Sequence, residues 1–301
     1  KILQDLWLAT DLPQNKINYH HNWRSAPEQE LVNLIKQNYD GQMICNDRKL
    51  IWPMEIDIVL PDKKIAIEFN GTYWHSDHFK HRNFHLQKLE QMEQQGFHLI
   101  QIFSCFWTGA YKDVMQQKIR SLFDQKYLGA RHCTIERCDY AAVKDFQEKH
   151  HIQGARTTSL NWAVYHQGQM VACATFNRFR DGVELVRYCS NVRIVGILQK
   201  ILQRLPAGVP VYSFANRLYT KRSENLYVRS GFQEIDMTSP GYYYVKGTRV
   251  ITRNSAMKHR LPGLLGENFN KELSEYDNMV ANGFHRIWDC GHILYRYEGH
   301  Q

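Results

Sequence analysis

The stretch Met54–Asn70 reads M-E-I-D-I-V-L-P-D-K-K-I-A-I-E-F-N. Apolar and polar residues alternate on both sides of the central P-D-K-K, as they do in half-buried strands joined by a tight turn. The sequence therefore predicts two adjacent antiparallel strands. Because side chains alternate across a strand, we expect Asp57 and Glu68 on the same face of this hairpin, about one strand spacing apart.

Helices and one further strand are predicted around the hairpin. Ser25, followed three places later by Glu28, is typical of a helix start, and apolar residues at helical spacing follow as far as residue 40. Further elements are predicted as a helix over 79–95, a buried strand over 97–103 and a helix over 111–126. This order describes a compact α/β domain that ends near residue 130.

The pattern of elements changes from residue 131 onward. The predicted elements are a helix (140–150), three strands (160–165, 170–176, 183–188), a helix (196–205), a strand (209–215), a helix (223–230) and a strand (242–245). A last helix is expected over 271–282. We therefore predict an α/β domain over 1–130, an α+β domain over 131–250, and a basic, aromatic extension over 251–301 packed on the second domain.

The positive charge of the chain is concentrated in its second part. The 301 residues carry 38 Lys and Arg against 30 Asp and Glu, a net charge of +8. Residues 1–130 hold 15 of each kind, whereas residues 131–301 hold 23 against 15, with 16 Arg and 7 Lys. Guanidinium groups suit phosphates and guanine edges. This distribution favours double-stranded DNA as a partner. The alternative is a basic surface that binds no partner.

Other compositional features indicate the compartment. No apolar run approaches the roughly 20 residues needed to span a bilayer, and the first residues lack a signal-peptide layout. The seven cysteines are scattered without a CxxC pair, which favours free thiols in a reducing compartment. Cys133 and Cys138 as zinc ligands are the alternative. We expect a cytoplasmic protein with no membrane partner, and residues missing before Lys1 because the chain does not begin with Met.

The two carboxylates of the hairpin suggest metal chemistry. Asp57 and Glu68 so placed can hold a hard divalent cation such as Mg²⁺ (or Mn²⁺). Such a metal polarises a phosphate and lowers the pKa of a bound water, as phosphodiester hydrolysis requires. The alternative is a pair of acids on a solvent-facing strand.

The residues around the hairpin resemble a nuclease family. Asp57, with Glu68-Phe69-Asn70 eleven positions on, resembles the PD-(D/E)xK nuclease core, with Asn70 where that family usually carries Lys. Gly71-Thr72-Tyr73-Trp74-His75 is similar to a motif of the very-short-patch repair (Vsr) endonucleases. The nearer likeness is to the phage-borne EDxHD homing endonucleases, whose Ser-x-x-Glu helix start is matched at Ser25 to Glu28.

This resemblance implies a role for each matched residue. The catalytic set comprises Asp57 as the central metal ligand, Glu68 as a second metal ligand, His75 as a general base or water-positioning group, Glu28 and Asp77 as supporting acids, and Asn70. Because Asn70 replaces a lysine, that position offers no cation to the phosphate.

The helix that follows could supply this cation. His78, His81, His85 and Lys88 share one helical stripe, and the relatives show a His-x-x-Lys here, matched by His85 and Lys88. We expect Lys88 to provide the missing charge and His85 to contact DNA. The alternatives are a solvated helix face and a zinc site built from the histidines. For Tyr73 and Trp74 we weigh a DNA-facing wedge against a place in the core.

The order of elements after residue 131 resembles that of GNAT-type acyltransferases. The segment N-L-Y-V-R-S-G-F (225–232) is similar to their late helix, and Arg193 to Gly196 stands where their pyrophosphate loop would be. That loop needs several glycines so that backbone N–H groups can approach the phosphates, and Gly196 is alone. Acetyl-CoA binding is therefore not expected. Domains of this shape, including the base-modifying Mom-like proteins, accompany phage nucleases, which favours use as a DNA-gripping module.

Basic residues of the second part are candidates for contacts with DNA phosphates. They are Arg178, Arg180, Arg217, Lys221, Arg222, Arg249, Arg253, Lys258 and Arg260. For each of them, an ordinary solvated charge is the alternative.

These expectations combine into one prediction of fold and function. The fold is α/β, with an N-terminal Vsr-like PD-(D/E)xK mixed sheet flanked by helices and a C-terminal GNAT-like α+β domain. The predicted function is that of an Mg²⁺-dependent, site-specific homing endonuclease. We expect it in the cytoplasm, which is that of the bacterial host if the chain is phage-encoded. Cleavage of both DNA strands would require a homodimer. The alternatives are a base- or nucleotide-modifying GNAT-type acyltransferase fused to a nuclease, a Vsr-type nicking, repair or defence nuclease, and a DNA-binding protein with a decayed site.

Overall fold

The computed structural model of the protein describes residues 25–300. Within this range the chain is a mixed α/β structure with several sheets and helices. The first 24 positions of the predicted domain over 1–130 lie outside the described residues. In the part that is described, no helix combines the length and the apolar character that crossing a membrane requires.

The first sheet contains the predicted hairpin. Its strands, in spatial order, are β1 (Ile44–Asp47), β2 (Ile56–Leu60), β3 (Ile65–Asn70) and β4 (His98–Phe103). Strands β2 and β3 are antiparallel, which confirms the hairpin, whereas β3 and β4 are parallel. Ile58 lies opposite Ile67, so this register makes Asp57 and Glu68 neighbours across the two strands.

Three helices accompany this sheet. They are α1 (Ala26–Asn38), α2 (Phe84–Gln94) and α3 (Gly109–Ser121). The Ser25 hydroxyl caps α1 by accepting a hydrogen bond from the Glu28 N–H at 3.3 Å, as the sequence predicted. Helix α2 begins later than the predicted start at residue 79, so His78 and His81 precede it. The expected four-residue stripe on one helix face is therefore wrong.

The second sheet has seven strands. Their spatial order is β12 (Gln233–Met237), β16 (His292–Tyr297), β11 (Val211–Asn216), β9 (Gly182–Ser190), β8 (Gln169–Phe179), β7 (Leu160–His166) and β6 (Thr134–Cys138). Only the β9–β11 pair in this sheet is parallel. Strand β16, from the predicted extension, lies between β11 and β12, so residues after 251 contribute to the interior of the sheet.

Shorter elements complete the second part. The helices are α4 (Tyr140–His150), α5 (Ile197–Leu202), α6 (Leu226–Arg229), α7 (Leu261–Leu265) and α8 (Glu275–Ala281). A parallel pair joins β5 (Leu128–Gly129) to β10 (Ile194–Val195). A small antiparallel sheet has the order β14 (Arg249–Thr252), β13 (Tyr242–Lys246) and β15 (His285–Trp288).

The two predicted domains share apolar contacts. The core around the first sheet includes residues from later in the chain, among them Leu218, Tyr219 and Ile287. The Gln101 N–H on β4 donates to the Leu218 carbonyl at 3.0 Å. The loop that follows β11 is therefore anchored on the first sheet.

Candidate functional site

A cluster of buried polar side chains lies on the first sheet. Glu68 is 5% exposed and Lys88 4% exposed, and they form an ion pair. Asp57 Oδ2 accepts a hydrogen bond from the Phe69 N–H at 2.6 Å, and Glu68 Oε2 accepts one from the Asp57 N–H at 3.4 Å. The structure therefore brings Asp57, Glu68 and Lys88 together, with both carboxylates engaged by protein donors.

Burial dominates the electrostatics of this cluster. Desolvation raises the pKa of Glu68 to about 7, the Lys88 ammonium opposes that rise, and the Asp57 carboxylate adds to it. A carboxyl group with this pKa changes its charge near neutral pH. The charge of the buried pair therefore depends on pH in the physiological range.

Two histidines next to this cluster are held neutral. Burial lowers the pKa of His75 to about 3 and that of His85 to about 4. Their rings stack with centroids 5.2 Å apart, and His85 Nδ1 lies 3.0 Å from Gln101 Oε1. His75 Nδ1 and His85 Nε2 are buried without a hydrogen-bond partner among residues 25–300. The pair is thus uncharged at neutral pH.

Other predicted catalytic residues have structural partners. Asp77 accepts hydrogen bonds from the Arg286 N–H and Nε, both at 3.0 Å, which ties the segment after β3 to β15. Asn70 is buried, and its Nδ2 donates to Gln101 Oε1 at 3.4 Å. Glu28 lies in the first turn of α1. The catalytic roles of these residues remain predictions.

An exposed aromatic cluster follows β3. Tyr73 is 54% exposed and Trp74 62% exposed, so neither belongs to the core. The Tyr73 ring contacts both the Trp74 and Phe79 rings at 5.2 Å between centroids. A role in contacting DNA remains a prediction.

The basic candidates fall into two groups. Arg217 is buried with its Nη2 3.5 Å from carboxylate oxygens of both Glu90 and Glu93, and Lys221 and Arg222 pair with Glu224 and Glu234. The exposed group, which forms no ion pair with an acid of residues 25–300, comprises Arg178, Arg180, Arg249, Arg253, Lys258 and Arg260. The first group is already neutralised by acids, so the second group is the better placed to meet phosphates.

The second sheet opens between its two parallel strands. Strands β9 and β11 pair only at Val183 with Val211 and at Glu184 with Tyr212. Beyond that point β9 pairs with β8 alone, and β11 with β16 alone. A bulge in the β8–β9 pairing lies at the same level, between Thr175 and Phe176. Toward the C-terminal ends of the two strands the ladder between them is therefore absent, and we call this unpaired stretch the strand gap.

A serine and a tyrosine lie where the strand gap begins. Ser213 Oγ on β11 lies 3.1 Å from the Leu185 carbonyl of β9, in place of the next backbone rung, and 3.2 Å from Tyr227 Oη. The Tyr227 ring stacks on Tyr295 at 5.0 Å between centroids. Burial raises the pKa of Tyr227, so its phenol keeps its proton at neutral pH.

The loop between β9 and α5 has an engaged backbone. The Arg193 carbonyl accepts a hydrogen bond from the Leu128 N–H at 2.8 Å, and Ile194 and Val195 pair with β5. Gly196 adopts a φ of 81°, in the left-handed region that glycine tolerates best. One edge of this loop is therefore occupied by β5.

Comparisons with known proteins bring out acetyltransferases. No protein-family model and no curated protein matches the chain. One similar solved structure is a GNAT-family acetyltransferase from Bacillus cereus, with 12% identity, a TM-score of 0.28, and coverage of 56% of this chain and 99% of that chain. Another is N-acetylglutamate synthase from Neisseria gonorrhoeae, complexed with coenzyme A and N-acetyl-glutamate, with 14% identity, a TM-score of 0.27, and coverage of 71% of this chain and 46% of that chain.

These findings correct the predicted identity and activity. One of these structures is a GNAT-family acetyltransferase, the other is an N-acetylglutamate synthase, and neither is a nuclease, so the predictions of an EDxHD or Vsr-like homing endonuclease and of an Mg²⁺-dependent phosphodiester hydrolase were wrong. The physical reason lies in the acids, since Glu68 is paired with Lys88 and Asp77 with Arg286. Across residues 25–300, no group of three or more His, Cys, Asp or Glu could hold a metal ion, which also contradicts the Mg²⁺ or Mn²⁺ prediction.

The expectation against acetyl-CoA was also wrong, because the N-acetylglutamate synthase structure was solved with coenzyme A. That expectation rested on the single glycine of the loop. Sequence reasoning overlooked the strand gap, since only the pairing of distant strands reveals it. The one local sequence feature that pointed to this region was Tyr227, which lies in the segment 225–232 that resembles a GNAT helix.

Proposed function

We propose that the second part of this chain is a GNAT-like acyltransferase that binds an acyl thioester of coenzyme A in the strand gap. The observation that supports the proposal is the parting of β9 and β11 after two residue pairs. Strands that part leave backbone N–H and C=O groups without a ladder partner, and such groups favour a ligand that supplies the missing hydrogen bonds.

The residues of the gap fit such a donor. The acyl-bearing arm of coenzyme A is narrow and contains amide groups, so it can pair with strand backbone as an added strand does. Leu185 and Val186 are buried at the start of the gap and exclude water from the reacting end. When bound, an acyl thioester supplies an activated carbonyl carbon, which takes a bond from an acceptor nitrogen as its bond to sulfur breaks.

Tyr227 is the proton donor in this proposal. The single Ser213 hydroxyl proton can go either to the Leu185 carbonyl or to Tyr227 Oη, and when it goes to Tyr227 Oη the phenol proton is left for transfer. Tyr227 then delivers that proton to the departing sulfur, while the acceptor nitrogen releases one to solvent. Stacking on Tyr295 and the Asn225 side chain, which caps α6 by accepting from the Tyr227 and Val228 N–H groups, hold the phenol in place.

We propose double-stranded DNA as the partner that carries the acceptor. The charge excess of the second part and its exposed cations support this choice, because Arg and Lys near phosphates release counterions. The exposed Tyr73 and Trp74 offer rings for contacts with bases. An amine on a nucleobase is then the acceptor class.

The experiment is acyl transfer by the full chain. Radiolabelled acetyl-CoA and duplex DNA are incubated with wild type, Tyr227→Phe and the control Tyr127→Phe, whose side chain is exposed. We expect label in DNA with wild type and control, and a loss of about 100-fold in rate with Tyr227→Phe while acetyl-CoA still binds. Transfer that is undiminished in Tyr227→Phe, or no transfer and no binding by wild type, would refute the proposal.

A further inference from the structure

A cleft lies beside α3. Its volume is 920 Å³, within the range of small-molecule sites. The lining comes from α3 and the residues that follow it, from the end of α4, and from the end of β9 with the loop to β10. Arg120 and Arg193 line the cleft and are exposed, so it is open to solvent. We call this space the α3 cleft.

A half-buried lysine lines the α3 cleft without an anionic partner. Lys118 forms no ion pair with an acid of residues 25–300, and its Nζ lies 5.7 Å from the centre of the Tyr219 ring. Asp124, the acid among the lining residues, accepts a hydrogen bond from the Lys126 N–H at 2.8 Å. Within the described part of the chain, no carboxylate therefore compensates the Lys118 ammonium.

The histidines and the tyrosine around Lys118 supply no negative charge either. Burial lowers the pKa of His151 to about 3 and that of His98 to about 4, and the Lys118 charge lowers both further. Burial also lowers the pKa of His150 and raises that of Tyr219 well above its ordinary value. At neutral pH these imidazoles and this phenol are uncharged.

Lys118 itself is shifted toward the neutral amine. Burial lowers its pKa. Its place in the last turn of α3 would favour the ammonium through the helix dipole, so desolvation outweighs that contribution. A desolvated lysine keeps more of the neutral form, whose lone pair attacks electrophilic carbon. The α3 cleft therefore combines a nucleophilic amine with room for a small molecule.

The charge of the lining restricts the class of that molecule. Arg120 and Arg193 are cationic, Asp124 is the one acid among the described lining residues, and the histidines of the lining are neutral. A small anion is therefore favoured over a cation. A compound that joins a carboxylate to a carbonyl group meets both conditions. Its carbonyl carbon can take a bond from the lysine nitrogen, and its carboxylate suits guanidinium groups.

We propose that the α3 cleft binds a small carbonyl compound that bears a carboxylate, and that this compound forms an imine with Lys118. The neutral Lys118 nitrogen adds to the carbonyl carbon, and the carbonyl oxygen leaves as water with the two amine protons. A carbon–nitrogen double bond then replaces the carbon–oxygen double bond, with no oxidant or reductant involved. The strand gap takes no part in this reaction, so the inference does not depend on the proposed acyl transfer.

The test traps the imine by reduction. The full chain is incubated at neutral pH with glyoxylate, which joins an aldehyde to a carboxylate, or with propionaldehyde, which is neutral. Sodium cyanoborohydride converts any imine to a stable amine, and peptide mass spectrometry measures the labelling of each lysine. The matched control is Lys112 on the same helix, whose Nζ is paired with Glu30 at 2.6 Å. Lys118→Arg and Lys112→Arg, which keep the positive charge, identify the labelled positions.

We expect glyoxylate to label Lys118 at least about tenfold more than Lys112, because of these two lysines only Lys112 is held by a carboxylate. Propionaldehyde should show a smaller preference, since it gains nothing from the charge of the lining. Concentrated urea should abolish the preference with both aldehydes. Equal labelling of the two lysines in the folded chain would overturn the proposal. An equal preference with both aldehydes would overturn the carboxylate as part of the ligand. Neither result would bear on acyl transfer in the strand gap.

Discussion

Replacing Lys88 by methionine should destabilise the protein in a way that depends strongly on pH. The substitution keeps most of the side-chain volume but removes the ammonium that faces Glu68, in a pair whose members are both buried. Removing one partner of a buried ion pair typically costs about 3–5 kcal/mol, because the remaining charge is left without compensation.

The direction of the pH dependence follows from Glu68. Its pKa is about 7 in the folded chain, above the value of about 4.3 expected when unfolded. The folded state therefore binds the Glu68 proton more tightly than the unfolded state does. The stability that this protonated carboxyl contributes is lost as pH rises from about 4 to about 7. Without Lys88 the pKa of Glu68 rises further, so the loss extends to higher pH.

We therefore expect Lys88→Met to cost about 1 kcal/mol at pH 5, where Glu68 is protonated and only a hydrogen bond is lost. At pH 8.5 the cost should approach about 3–5 kcal/mol. Urea unfolding followed by circular dichroism at both pH values measures the difference. Adding Glu68→Gln to Lys88→Met should recover most of the loss at pH 8.5, whereas Lys221→Met, in an exposed pair, should cost less than about 1 kcal/mol at either pH. Equal losses at the two pH values would refute the reasoning.

Three further substitutions test the packing between distant parts of the chain by the same unfolding measurement. Arg217→Met should cost about 2–4 kcal/mol, and more at pH 8.5 than at pH 5, because burial already raises the pKa of Glu93 and the guanidinium opposes that rise. Gly291→Ala should cost about 2 kcal/mol or more, since φ is 74° and an added Cβ would lie 2.2 Å from the Thr238 carbonyl oxygen. Asn278→Ala should cost about 2 kcal/mol, because the buried Asn278 amide donates to the Asn270 and Ser274 carbonyls at 2.8 and 2.9 Å. If any of the three substitutions lowered the free energy of unfolding by less than about 0.5 kcal/mol, that result would contradict the contact described for that residue.

Local sequence patterns predicted the parts of the fold that depend on neighbours in the chain. The alternation around Pro61 predicted the β2–β3 hairpin, and strand periodicity then placed Asp57 beside Glu68. The cap at Ser25 was predicted from the same kind of short-range signal. Helix α2 was predicted too long, because the residues before Phe84 form turns that helical spacing alone does not exclude.

Features built from distant segments could not be predicted in this way. Strand β16 pairs with β11 and β12 across long stretches of chain, and no local pattern specifies such a partner. The strand gap exists because β9 and β11 stop pairing, a property of two strands together. Lys118 and Arg193 read as ordinary surface charges in the sequence, and only the packing of α3 beside β9 places them in one cleft.

The central claim is that an acyl donor binds between β9 and β11. Hydrogen exchange of the full chain, followed by mass spectrometry with and without coenzyme A, tests it directly. The account predicts that coenzyme A slows exchange of backbone amides in Leu185–Ser190 and Ser213–Asn216, where the strands lack each other as partners. Binding of coenzyme A without protection of these two segments, or no binding, would contradict it.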